Sequence, residues 1–99
     1  MDIQNTRNGD DVELLIVGRI DGDGADKLEV AILATMKSGA KAIYVNLSQA
    51  TFLCSSGLRV LLQYWRQMKN KQLLLQATRP SPEVGAVIRT SGFDTLIEK

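Results

Sequence analysis

The chain has 99 residues, 44% of them apolar and 23% charged, which excludes intrinsic disorder and predicts one domain, 1–99, with a modest core. A formal net charge of +1 gives no electrostatic case for direct nucleic-acid binding or for an anionic membrane. Histidine is absent, which removes the commonest general base and the commonest metal ligand together.

Met1 to Arg7 can hold a short strand around Ile3. Asn8-Gly9-Asp10 is a turn signal, and Val12 to Val17 is a good strand, so the chain is expected to open with a β-hairpin. Gly18 to Gly24 then closes the strand with glycines and gathers carboxylates. As a calcium loop it fails, because the fifth ligand position would be Ala25, the required glycine Asp26, and the twelfth position Ile32. Asp23 is instead expected to cap the next helix, with Asp26 in its first turn. That helix is read over Ala25 to Ser38, with Leu28, Ala31, Ile32 and Met36 inward and Gly39 ending it after Lys37.

Ala42 to Leu47 reads as a buried strand with Ile43, Val45 and Leu47 on one face, followed by a loop, Ser48 to Leu53. From Ser55 to about Lys69, Leu58, Leu61, Leu62, Trp65 and Met68 recur at helical spacing. Ser55 is the expected N-cap, and its position favours negative charge. Arg59, Gln63, Arg66 and Gln67 lie off the apolar stripe and read as a solvated face. Arg59 stands out among them, one turn from Ser55 on the side a partner or a phosphate could approach.

Gln72 to Gln76 suits a strand covered on both faces. Ser81-Pro82-Glu83 is a helix start, Val84, Val87 and Ile88 its inner stripe, and Gly92 its end, with Phe93 folding back. Thr95 to Ile97 completes the chain as a short strand. The order β-β-α-β-α-β-α-(β) implies an α/β fold with a mixed, mostly parallel sheet of four to five strands and an N-terminal β-hairpin.

Enzymatic function finds no parts. A serine or cysteine nucleophile lacks a histidine base, G-x-S-x-G is missing around Cys54-Ser55, and no phosphate-binding loop ends in Gly-Lys-Ser/Thr. Cys54 is expected to be a small buried hydrophobe. A non-enzymatic binding module without cofactor or metal is expected. The single cysteine, the absence of a leader and the absence of a membrane-length apolar run predict a cytoplasmic protein without membrane insertion.

The run VNLSQATFLCSSGLRVLL resembles the signature of the STAS domain, the fold of bacterial anti-sigma-factor antagonists that also occurs in sulfate transporters. The resemblance places the family's phosphorylatable serine on Ser55, with Ser56 as its small neighbour and Gly57 as its glycine. Cys54 stands where many members have aspartate. Gly18-Arg19-Ile20-Asp21 matches the family's G-x-L-D loop, which implies that Asp21 lies near Ser55. Ser81-Pro82-Glu83-Val84 and Ser91-Gly92-Phe93 extend the resemblance nearly end to end. It implies a STAS-like fold and a phosphorylation-switched antagonist. Such a protein sequesters an anti-sigma factor, often itself a serine kinase, while Ser55 is unmodified, and a phosphatase restores binding after phosphorylation. Asp21, Cys54, Ser56, Gly57 and Arg59 are the expected partner contacts. The other reading is a constitutive STAS scaffold or accessory subunit, for example of a transporter, with Ser55 purely a cap. A monomer or a weak homodimer is expected, since an exposed N-terminal edge strand could pair with another chain.

Overall fold

Gly9, at φ +65°, lets the chain reverse in two residues, so that strand β1 (Asp2–Asn8) pairs antiparallel with β2 (Asp11–Ile20) from Asn8↔Asp11 outward. The computed structural model describes residues 1–97. After the hairpin come helix α1 (Gly22–Lys37), β3 (Ala42–Leu53), α2 (Ser55–Asn70), β4 (Leu74–Thr78), α3 (Pro82–Thr90) and a short 3-10 turn, Asp94–Leu96. The sheet order is β1-β2-β3-β4, with β2, β3 and β4 parallel. The expected hairpin and mixed, mostly parallel α/β sheet are therefore present, with four strands.

The core follows the apolar spacing. Val12, Leu14, Ile16 and Ile20 of β2, Leu28 and Ile32 of α1, Ile43, Val45 and Leu47 of β3, and Leu58, Leu61 and Met68 of α2 are buried in one cluster. Helix α1 packs on β2, α2 packs on α1 and β4, and α3 packs on β3. Ser81 caps α3 as expected, its hydroxyl accepting from the Val84 N–H at 3.4 Å and donating to the Ala50 carbonyl at 2.6 Å. Gly92, at φ +82°, ends that helix, and the Phe93 N–H reaches back to the Ile88 carbonyl at 3.2 Å.

Several boundaries differ from the sequence reading. β2 continues through Gly18 to Ile20: next to Gly18, at φ +105°, a register shift leaves Thr51 of β3 unpaired, and beyond it Arg19 and Ile20 pair with Phe52 and Leu53. The expected loop Ser48 to Leu53 is likewise strand. Its exposed polar residues sit on a backbone that β2 satisfies from one side. Helix α1 starts earlier than Ala25, and Asp21 rather than Asp23 is its cap: the Asp21 carboxylate accepts from the Gly24 N–H at 2.9 Å. β4 lies two residues later than Gln72 to Gln76, since Gln72, at φ +60°, is spent on the turn. Leu74 is 37% exposed there, so this edge strand is not covered on both faces. Thr95 to Ile97 form no strand; the 3-10 turn leaves only Ile97 in a single parallel bridge to Ala77.

Tyr64 joins the buried face of α2, where the leucine spacing alone did not place it. Its hydroxyl donates to Glu29 of α1 at 2.7 Å, and burial together with that carboxylate pushes its pKa up to about 12. A raised folded pKa favours the neutral phenol, so this contribution to stability is complete below the ordinary tyrosine value and is lost as pH rises from about 10 toward 12. Tyr64→Phe is expected to cost about 1–2 kcal/mol at neutral pH. In denaturant unfolding, the difference between the variant and the parent should shrink across that alkaline window.

Candidate functional site

Two helices begin side by side at one edge of the sheet because two parallel strands end there together. Ile20, the last residue of β2, pairs with Leu53, the last residue of β3. The Cys54 N–H then donates to the Ile20 carbonyl at 2.9 Å. Asp21 follows Ile20 and caps α1, while Cys54 follows Leu53 and caps α2.

The cap of α2 corrects the sequence reading. Cys54 has extended backbone, φ −82° and ψ 170°, and its Sγ accepts from the Gly57 N–H at 3.4 Å. Ser55 is the first residue inside the helix, not the cap, and its side chain is exposed. Cys54 is also not a buried hydrophobe, being half-buried with its Sγ 3.0 Å from the Ser56 hydroxyl. Partial burial pushes the thiol up. The hydrogen-bonded Ser56 hydroxyl and Gly57 N–H, with the nearby N–H groups of Ser56 and Cys54, favour the thiolate and outweigh that, leaving its pKa below the ordinary value.

Gly57 sets the closeness of the helix start to the sheet. A Cβ there would lie 2.7 Å from Ile20 Cγ2 and 2.8 Å from Leu53 Cδ1, so a side chain would force these residues or the first turn itself to shift. With Gly57 buried against them, Ser56 is half-buried and Ser55 points outward.

Of the residues singled out in the sequence, Ser55 and Arg59 line one open groove of about 370 Å³ along α2, with Leu58, Leu62, Gln63 and Arg66. Cys54, Ser56 and Gly57 form the turn that presents it. Asp21 is close through the backbone, one residue past the carbonyl that holds Cys54, but its carboxylate is turned to its own helix and is not part of the groove. Phe52 and Arg19 were missed, having been read as loop. They are register partners in the sheet, with the guanidinium 4.3 Å from the ring centroid, and Phe52 is 37% exposed two residues before Cys54. Alternation of exposed Thr51 and Phe52 with buried Ala50 and Leu53 is too irregular to have marked the strand. Among the described residues no cluster of His, Cys, Asp or Glu could hold a metal ion.

A family profile described as "Mlab, STAS domain" matches residues 3–98. BtrV of Bordetella bronchiseptica, a protein named as an anti-sigma factor antagonist, is 29% identical over 76 residues. That stretch covers 77% of this chain and 66% of BtrV. The structure of the anti-sigma factor antagonist SpoIIAA in its unphosphorylated form is similar, with TM-score 0.85 and 22% identity, covering 98% of this chain and 86% of SpoIIAA. The phosphorylated form of the Bacillus cell fate determinant SpoIIAA gives TM-score 0.78 and 21% identity, over 98% and 89%. At these identities the two structures establish a common fold.

Cys54→Ala is expected to cost about 0.5–1 kcal/mol and Cys54→Asp to gain about 0.5 kcal/mol, since aspartate is a better cap and its charge suits a helix start. Ser55→Ala should stay within about 0.5 kcal/mol of the parent in the same chemical-denaturation measurement. A larger loss at Ser55 than at Cys54 would contradict the cap assignment.

Proposed function

The chain belongs to the STAS family, and we propose that it acts within it as an anti-sigma-factor antagonist switched by phosphorylation of Ser55. Unmodified, it binds an anti-sigma factor that is itself a serine kinase; phosphorylated, it lets that partner go, and a phosphatase restores binding. The observation that carries this reading is the state of Ser55: an exposed hydroxyl at the first position of α2, with no side-chain hydrogen bond among the described residues, at the mouth of the groove along that helix. The names of BtrV and SpoIIAA support the antagonist role.

In the proposed modification the kinase transfers the terminal phosphoryl group of a nucleoside triphosphate. A P–O bond forms at Ser55 Oγ, the hydroxyl proton leaves, and the bond to the departing nucleoside diphosphate breaks. The product carries about −1.5 to −2 charges and a tetrahedral group. At a helix start that charge is tolerated by the positive end of the helix dipole, so the fold does not have to change. The penalty falls on the interface. A partner presenting carboxylates or apolar surface would have to desolvate or oppose the new charge, which costs more than the contact returns. Asp21, Cys54, Ser56, Gly57 and Arg59 are proposed as the contact residues, with Cys54 and Gly57 holding the turn and Arg59 offering a cation.

We place this function in the cytoplasm, in one domain spanning 1–99, as a monomer or weak homodimer. No helix among the described residues is long and apolar enough to cross a membrane. One observation favours a second reading, a constitutive scaffold or transporter accessory subunit: a thiol rather than a carboxylate stands beside Ser55, altering what a kinase would recognise.

A binding titration against the cognate anti-sigma factor tests the reading. Ser55→Ala should bind with wild-type affinity, and Ser55→Asp at least about tenfold more weakly, a difference of about 1.4 kcal/mol. Equal affinities for the two variants would favour the constitutive scaffold.

A further inference from the structure

Along α2, Ser55, Arg59 and Gln63 follow one another at steps of four, as do Leu58, Leu62 and Arg66, and the two rows line a single open groove. The helix contains no acidic residue, so no carboxylate of its own competes for these arginines. Among the described residues the salt bridge lies elsewhere, between Lys41 and Asp10 at the opposite end of β2, and Arg59 has no ion pair. Asp21 accepts from Gly24, Glu29 accepts from Tyr64, and Arg19 is stacked on Phe52. Arg59 is exposed, one turn after Ser55 and on its side of the helix.

We propose that Arg59 is the cationic partner, within the same chain, that donates its guanidinium N–H groups to the phosphoryl group on Ser55. The proposal rests on the switch reading of Ser55 and specifies how the modified state is held. Residues four apart on a helix have Cβ atoms about 5–6 Å from one another, which brings a phosphate on the first within reach of a guanidinium on the second. Two N–H groups of the planar guanidinium match two phosphate oxygens, a pairing stronger than that of neutral groups. The modification then acts twice on the partner surface: it adds an anion, and it withdraws the cation that an unmodified Ser55 leaves free. Arg66 cannot substitute, being three turns from Ser55, about 16 Å along the axis.

The test installs phosphoserine at position 55 during translation, so that neither kinase nor partner is needed, and follows the phosphorus NMR signal through a pH titration at 0.15 M salt. A free phosphoserine loses its second proton near pH 6, at about the unperturbed value. In the otherwise wild-type chain the midpoint should lie lower. Arg59→Ala and Arg59→Gln should each raise it by about half a pH unit or more, and Arg59→Lys should give an intermediate value. Arg66→Ala removes the same charge from beyond the screening length of about 8 Å and should move the midpoint by less than a quarter as much. An unchanged midpoint in both neutral variants at position 59 would overturn the proposal, and so would an equal shift from Arg66→Ala, which would mean a diffuse field rather than a contact. Failure here leaves the switch itself standing, because partner release is read separately in the binding titration. A Ser55 that no kinase modifies would remove the switch without altering this measurement.

Discussion

The close seating of the α2 start on the ends of β2 and β3 is the constraint on which the site depends. Gly57 admits Ile20 and Leu53 where any Cβ would collide with both. The Cys54 N–H ties the same point to the Ile20 carbonyl at 2.9 Å. With the inner side of the first turn occupied in this way, Ser55 has only the outer side. Its exposure is therefore a product of packing beneath it and not of local disorder or of a long loop. The register shifts between β2 and β3 serve the same end, because without them Ile20 and Leu53 would not finish level.

That arrangement separates two jobs on a single helix. Leu58, Leu61, Tyr64 and Met68 bind α2 to the core, and Tyr64 also fastens it to α1 through Glu29. Buried apolar area of this kind supplies most of the stability of a helix of ordinary length, so the outer face is free to vary in charge. A phosphoryl group added there would meet the positive end of the helix dipole and the proposed partner Arg59, and the molecule could accept it without repacking. Phosphorylation of Ser55 would thus change what binds to the protein far more than it changes the protein, which is the physical requirement for a reversible binding switch.

Much of this was legible in the sequence, for identifiable reasons. Periodic apolar residues marked the three helices, Asn8-Gly9-Asp10 marked the hairpin, and the Cys54-Ser55-Ser56-Gly57 run pointed to the STAS fold. The illegible parts have physical causes too. Gly18-Arg19 and Ser48-Gln49 look like loops because glycine and polar residues dominate, yet Gly18, Arg19 and Gln49 have register partners between β2 and β3, and the Ser48 N–H, in the register shift, donates to the Asn46 side chain at 3.0 Å. The cap of α2 was displaced by one residue because serine leads the usual preferences, whereas the structure uses a sulfur acceptor. Tyr64 was overlooked because its polar end hid a buried ring whose partner, Glu29, is far away in sequence. At α1, two aspartates competed for one cap, and only the geometry of the strand end decides for Asp21. The approach of Gly57 to two side chains from different strands cannot be read from spacing at all.

Modification of Ser55 is the step on which the proposed switch depends, and its most direct test is the mass of the protein recovered from its own cells under phosphatase inhibition, with peptide mapping and a Ser55→Ala control. A gain of one phosphate that maps to Ser55 and vanishes in the control is the predicted result. A chain that stays unmodified across growth and stress conditions, or that carries its phosphate at another residue, would contradict it and leave Ser55 as an exposed helix residue on a constitutive STAS scaffold.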